Sequence, residues 1–235
     1  MKAQNGFSLA EVLISLFLAS LILSTLTQYY LSSKRHYLEA QKIVSDHFDI
    51  QWVSDLLSDS IRRAGFTPCI NIDKLRFKNP QLHAIILDKA LIEVNRMSEH
   101  FFEVLDLPNR SQVVLPASAV INPSKKIIIA DCTHAEVHEI ADVEKNAFKS
   151  QVTLSKPLLF HYKNPIYFAQ WLEEKWFIRP NSKKIPALYY QLVRAEELTP
   201  LIHSLSVEKE NSLVKVLLGL EGGKSRTLFV GMRTN

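Results

Sequence analysis

The stretch "DCTHAEVHE" gathers Asp131, Cys132, His134, Glu136, His138 and Glu139, the donor types that hold zinc. The zinc-protease arrangement needs a glutamate directly after the first histidine on a helix, and the order here does not supply it. On a strand, His134, Glu136 and His138 share one face by alternation, which is also the look of an exposed strand surface. No metal or cofactor is expected from it. "GLEGGKS" ends like a phosphate-binding loop, yet the first glycine that loop requires falls on Leu218, and "RTLFV" has a strand pattern where a helix must start. A turn is expected instead. "YFAQWLEEKWF" has the aromatic content of a binding surface, but Trp171, Trp176 and Phe177 are expected in the core of a sheet. No nucleophile, base and oxyanion-stabilising group stand together in the sequence, so no catalytic residues are assigned and the expectation is a protein that is not an enzyme.

One carboxylate remains conspicuous. Glu11 follows Gly6 at the head of an apolar run and is the only charged residue from Phe7 to Ser33. A charge at membrane depth costs roughly 2.5 kcal/mol or more, so its presence needs a reason. The run continues to about Leu31, near the roughly 20 residues that span a bilayer. A cleaved secretory signal places its small residue after the apolar core; here Gly6 precedes it. Ser15, Ser20, Ser24, Thr25 and Thr27 are hydroxyls that can bond back to a helix. The run is therefore expected to be a single membrane span. Lys2 keeps the amino-terminal side in the cytoplasm, and everything from Lys34 onward is expected outside.

The elements that must position these residues follow from composition. The chain has 235 residues, with 47% hydrophobic and 22% charged, which excludes a disordered or collagen-like chain. The net charge of +4 is scattered, so direct nucleic-acid binding is not expected. Neither glycine nor proline occurs between Gly6 and Gly65, and this predicts one uninterrupted helix, about 87 Å long at 1.5 Å per residue. In its second half Val53, Leu56, Leu57, Ile61 and Ala64 recur at helical spacing, so that half is expected to lie against a water-soluble body. Gly65 and Pro68 end the helix. Beyond Cys69 come short strand patterns, among them "ALIEVNRM", "KKIIIADC", "KWFIRP", "ALYYQLVR" and a closing hairpin across "EGGK". The fold class predicted is α+β: one long amino-terminal helix on an antiparallel β-rich head.

"GFSLAEV" resembles the cleavage and methylation motif of type IV pilins and type II secretion pseudopilins, on Gly6, Phe7 and Glu11. The resemblance implies a peptidase that cuts after Gly6 and methylates Phe7. It also implies that Glu11 of one subunit pairs with the new amino terminus of a neighbour, a registration device for assembly. Residues 1–6 would be the leader, 7–32 the spanning and filament-core half of the helix, 33–64 its amphipathic periplasmic half, and 65–235 the head. "LLSDSIRRAGFTPC" and "IIIADCTHAEVHEI" resemble segments of minor pilins of the PilW type, and "LFVGMRTN" the closing strand they share with J-type pseudopilins. J-type pseudopilins follow the same plan but usually lack the cysteine pair. Major pilins typically carry proline at the position of Gln28, and its absence favours a minor subunit.

The resemblance implies a subunit of the inner membrane, head in the periplasm, that later reaches the cell surface. Its implied partners are other minor pilins, the major pilin, the prepilin peptidase and the inner-membrane assembly machinery. With the head exported, Cys69 and Cys132 read as one disulfide, two unpaired buried thiols being the alternative. Closing about 64 residues corresponds to roughly 4 kcal/mol on the chain-entropy estimate.

Overall fold

The computed structural model describes residues 8–77, 82–88 and 90–233. The long helix is present as α1 (Leu9–Arg62). No residue inside it breaks the i to i−4 ladder, and it stops where the chain first reaches a glycine. Gly65 has φ +71°, a left-handed value, and its N–H donates to the Asn95 carbonyl at 2.8 Å. A Cβ at Gly65 would collide with the Asn71 amide and with Ala84, so packing as well as backbone conformation demands glycine.

The chain divides into two compact units, 1–49 and 50–235. In the first unit, the described side chains of α1 stand clear of other protein, apart from Asp46, which is half-buried. The second unit holds the carboxy-terminal end of α1 and, among the described residues, fifteen strands. These are β1 (Ile85–Asp88), β2 (Leu91–Met97), β3 (Phe102–Glu103), β4 (Asp106–Asn109), β5 (Gln112–Pro116), β6 (Ile127–Ala130), β7 (Ala135–His138) and β8 (Ile140–Lys145). They continue with β9 (Lys149–Leu154), β10 (Tyr167–Pro180), β11 (Pro186–Gln191), β12 (Ala195–Thr199), β13 (Ile202–Glu210), β14 (Leu213–Leu220) and β15 (Ser225–Gly231).

Every pairing between these strands is antiparallel. The largest sheet runs β1-β2-β10-β11-β12, with β3 and β6 on the amino-terminal part of β10 and β7 beyond β6. A second sheet is β4-β5-β9-β8 and a third β13-β14-β15. Strand β10 is longer than the "KWFIRP" pattern alone predicts, because Tyr167–Gln170 pairs with β6 while Trp171–Phe177 pairs with β2. Along Leu172–Trp176 buried and part-exposed residues alternate, but the buried set includes Glu174 between Glu173 and Lys175, so three charged residues in a row interrupt the apolar alternation that marks a half-exposed strand.

The apolar residues at helical spacing land where expected. Val53, Leu57, Ile61 and Ala64 are fully buried against Ile92, Val94, Trp176 and Leu188 of the large sheet and Val214, Val216 and Leu218 of β14. Leu56 packs at the margin of that cluster. Burying a side chain of this size contributes about 1.5–3 kcal/mol, so this apolar stripe is what fixes the helix end to the sheets. Trp171 and Trp176 are core residues, while Phe177 is half-buried and stacks on Tyr189. The "EGGK" hairpin joins β14 to β15, with Gly222 at φ +73° and Gly223 at φ +75° turning the chain.

Candidate functional site

Gly6 and Phe7 lie outside the described residues. Ser8 does not: its carbonyl accepts from the Glu11 N–H at 3.0 Å and the Val12 N–H at 3.3 Å, which starts α1 and sets Glu11 in the first turn. The positive end of the helix dipole favours a carboxylate there. From Leu9 onward the helix is long and apolar enough to cross a membrane, with a mean hydropathy of 2.2 over its most apolar window and none of that window buried by protein.

Four of the five hydroxyls from Ser15 to Thr27 are accounted for locally, and Ser24 makes no hydrogen bond among the described residues. Ser15 donates to the Val12 carbonyl at 2.9 Å, Ser20 to Phe17 at 2.8 Å, Thr25 to Ile22 at 2.9 Å and Thr27 to Leu23 at 2.7 Å. In hydrocarbon an unsatisfied donor costs several kcal/mol, and these four donors are satisfied without help from outside the helix. Glu11 is the charged member of the stretch. Its carboxylate is exposed, carries a full charge when ionised, and no hydrogen bond to its side chain is present among the described residues.

At the other end of α1 the helix is tied to the large sheet through a buried polar chain. Ser60 donates to Glu174 Oε2 at 2.6 Å, and Trp176 Nε1 donates to the Ser60 hydroxyl at 3.3 Å. Glu174 Oε1 accepts from Arg96 Nε at 2.8 Å and lies 2.7 Å from Arg96 Nη2, and Arg96 Nη1 bonds both oxygens of Glu99 at 2.8 Å. Burial alone would lower the Arg96 pKa, but Glu174 and Glu99 raise it above its ordinary value, so the guanidinium stays charged. Sequence reading misses this network. Its members are separated by up to 116 residues, and its only trace is charge on otherwise apolar strand faces, Glu174 alternating with Leu172 and Trp176 and Arg96 following Val94.

Cys69 and Cys132 form a disulfide with Cα atoms 5.2 Å apart and a sequence separation of 63. The bond joins the segment that follows α1 to the β6–β7 turn. Two buried carboxylates hold the same region. Asp131 Oδ1 accepts from the Thr133 N–H at 2.7 Å and the His134 N–H at 2.6 Å, and Oδ2 from the Lys163 N–H at 3.0 Å. Glu136 Oε1 accepts from the N–H groups of Leu159 and Phe160, each at 2.9 Å, and from the Tyr162 hydroxyl at 3.1 Å. His138 Nε2 lies 3.1 Å from Glu136 Oε2. Burial would push both carboxyls up. Instead, the backbone amides around Asp131, and His138 with the backbone amides and Tyr162 around Glu136, hold them below the ordinary carboxylate range. Burial and then Glu136 push the Tyr162 hydroxyl up in turn.

This geometry settles the character of "DCTHAEVHE". Glu136 and His138 do share a face of β7, but that face is buried, not an exposed strand surface. His134 precedes the strand and stacks on Phe160, ring centroids 4.6 Å apart. Among the described residues, no group of three or more histidine, cysteine, aspartate and glutamate side chains is placed to hold a metal. A cavity of about 590 Å3 adjoins β7; on its wall Lys126 Nζ and Trp171 Nε1 both bond Glu173 Oε1, at 3.1 and 2.9 Å, and Glu139 and Lys156 line it as well.

The family model for the prokaryotic N-terminal methylation motif matches residues 1–27, the segment that holds Gly6, Phe7 and Glu11. The chain thus carries a prepilin-type amino terminus on a helix able to anchor it in a membrane. No curated protein and no solved structure matches the chain.

Proposed function

We infer that the chain is a minor pilin of the PilW type, a structural subunit that helps to initiate or support type IV pilus assembly and, through it, adhesion, twitching movement or DNA uptake. The observation that carries this reading is the methylation motif over residues 1–27 joined directly to one apolar helix that ends in an antiparallel β-rich head. Cleavage after Gly6 frees the amino group of Phe7, and the Glu11 carboxylate of one subunit pairs with that ammonium on a neighbour as the helices pack. An isolated carboxylate in hydrocarbon is expensive, whereas an opposite charge within the bundle offsets its desolvation. The helix waits in the inner membrane with the head in the periplasm, then enters the filament with other minor subunits and the major pilin. The activity is non-catalytic. Asp131, Glu136, Arg96 and Glu174, the buried ionised groups of the head, are each bonded to backbone amides or to one another, which suits a rigid structural module.

Shearing filaments from cells of the native host tests this. Deleting the gene is expected to reduce surface filaments to background, and the restored chain is expected as a minority component of the sheared fraction. Normal filaments in the deletion strain, with export of folded proteins lost instead, would place the chain in a secretion pseudopilus.

A further inference from the structure

Sheet edges expose unpaired main-chain groups, and folded proteins blunt them with bulges, prolines, charges or extreme shortness. Most edges of the head are treated this way. Strand β1 has four residues and ends on Asp88. Strand β4 holds Pro108 and a break in register. Strand β8 has a break between Ile140 and Asp142 and carries Asp142, Glu144 and Lys145. Strand β12 has an irregularity opposite Leu188 and Tyr189 and carries Glu196 and Glu197. Strand β13 has one after Ile202 and ends in Glu208, Lys209 and Glu210. The outer side of β7 is bridged by Arg76 at its start.

Strand β15 carries none of these devices. It pairs with β14 in seven consecutive positions, from Gly219↔Ser225 to Leu213↔Gly231, without a bulge or a proline. Its one charged residue, Arg226, turns to Gln51 of α1. The ladder continues in the same register at both ends, where the Leu220 N–H bonds the Lys224 carbonyl at 2.8 Å and the Met232 N–H bonds Ser212 at 2.7 Å. Antiparallel alternation then makes Arg226, Leu228 and Val230 the residues bonded to β14. Ser225, Thr227, Phe229 and Gly231 direct their N–H and C=O groups away from the sheet. Among the described residues no backbone group meets them. The same residues lie on the solvent face, where Phe229 is 64% exposed beside Leu213 and Leu217 of β14. Lys215, opposite Phe229, is paired with Glu208 at 2.8 Å, and Glu210 stands opposite Leu213 on the same face, so the charge of this face lies toward β13 and not on β15.

We propose that β15 is a docking edge that accepts an uncharged extended strand from the head of a different subunit, running antiparallel to β15. This rests on the filament reading above, which supplies the direction. Strand β15 begins beside Gln51 and Arg233 after it lies beside Asn71, whose Nδ2 bonds the Arg233 carbonyl at 2.7 Å, so β15 runs the same way as the end of α1. Two copies pairing their β15 edges antiparallel would point their helices in opposite directions, which subunits anchored in one membrane cannot do. The main-chain groups supply affinity, and an apolar side chain of the guest covers Phe229 and Leu217, as in strand addition generally.

The full-length anchored protein tests this in its native membrane, with a photoreactive phenylalanine analogue at position 229 and, as a control, at the exposed Phe148. The expected result is one discrete heterologous adduct from position 229 and none from 148. Thr227→Pro should abolish that adduct while leaving thermal stability unchanged, because the Thr227 N–H points outward and takes no part in the β14 ladder. Thr227→Ala should preserve it. If Thr227→Pro fails to fold, Ser225→Lys puts a charge on the edge and should abolish the adduct in its place. An adduct indifferent to these edge substitutions, a homodimer alone, or no adduct at position 229 would each overturn the proposal. Processing after Gly6 is read from the same sample. An uncut chain would defeat the filament reading whatever the cross-link shows.

Discussion

Glu11→Ala is expected to leave the chain inserted in the membrane, cut after Gly6 and methylated at Phe7, yet absent from sheared filaments. The sign of this effect separates two roles for the residue. If Glu11 were an incidental charge in an anchor, its removal would relieve a penalty of roughly 2.5–3.5 kcal/mol, and membrane retention would stay equal or improve with no other consequence. If it pairs with the amino terminus of a neighbour, removal strands a buried ammonium. Breaking a buried pair in that way costs about 3–5 kcal/mol, roughly a hundredfold to several thousandfold in the association equilibrium. Immunoblots of sheared and membrane fractions measure the ratio. Incorporation of Glu11→Ala at the wild-type level would remove the carboxylate from any role in assembly.

Glu174→Ala is expected to destabilise the head by about 3–5 kcal/mol, the largest effect of a single truncation within it. The Arg96 side chain is only 8% exposed, so losing Glu174 leaves a guanidinium buried with Glu99 alone, and the Ser60 hydroxyl loses its acceptor. Replacing Arg96 and Glu174 together by Met and Leu should recover most of the loss, because apolar residues of similar volume carry no desolvation penalty. Urea titrations of the detergent-extracted protein measure both, as shifts in midpoint at constant slope. A loss below about 1 kcal/mol for Glu174→Ala would mean that water reaches the pair and that its net worth is that of a surface ion pair.

How much was legible in the sequence differs along the chain for physical reasons. The helix could be read because its rules are local: no glycine or proline from Phe7 to Ala64, then Gly65 at a left-handed position. The stripe of Val53, Leu57 and Ile61 could be read because burial on one face leaves a period. Strand β10 reads too short because Glu173, Glu174 and Lys175 interrupt its apolar pattern although Glu174 is buried. Strand β12, "AEELT", escaped notice because an edge strand needs little apolar content. Asp131 and Glu136 stand out as donors but not as clamps, since the Leu159 and Phe160 amides on Glu136 and the Lys163 amide on Asp131 are brought there only by the tertiary fold, beside the local Thr133 and His134 amides on Asp131.

The measurement that bears most directly on the central claim is the intact mass and amino-terminal residue of the membrane-extracted chain, with and without the prepilin peptidase. A chain beginning at N-methylated Phe7 only when the peptidase is present is the expected result. An uncut Met1 under both conditions would contradict it and leave Glu11 an incidental charge on an ordinary membrane anchor.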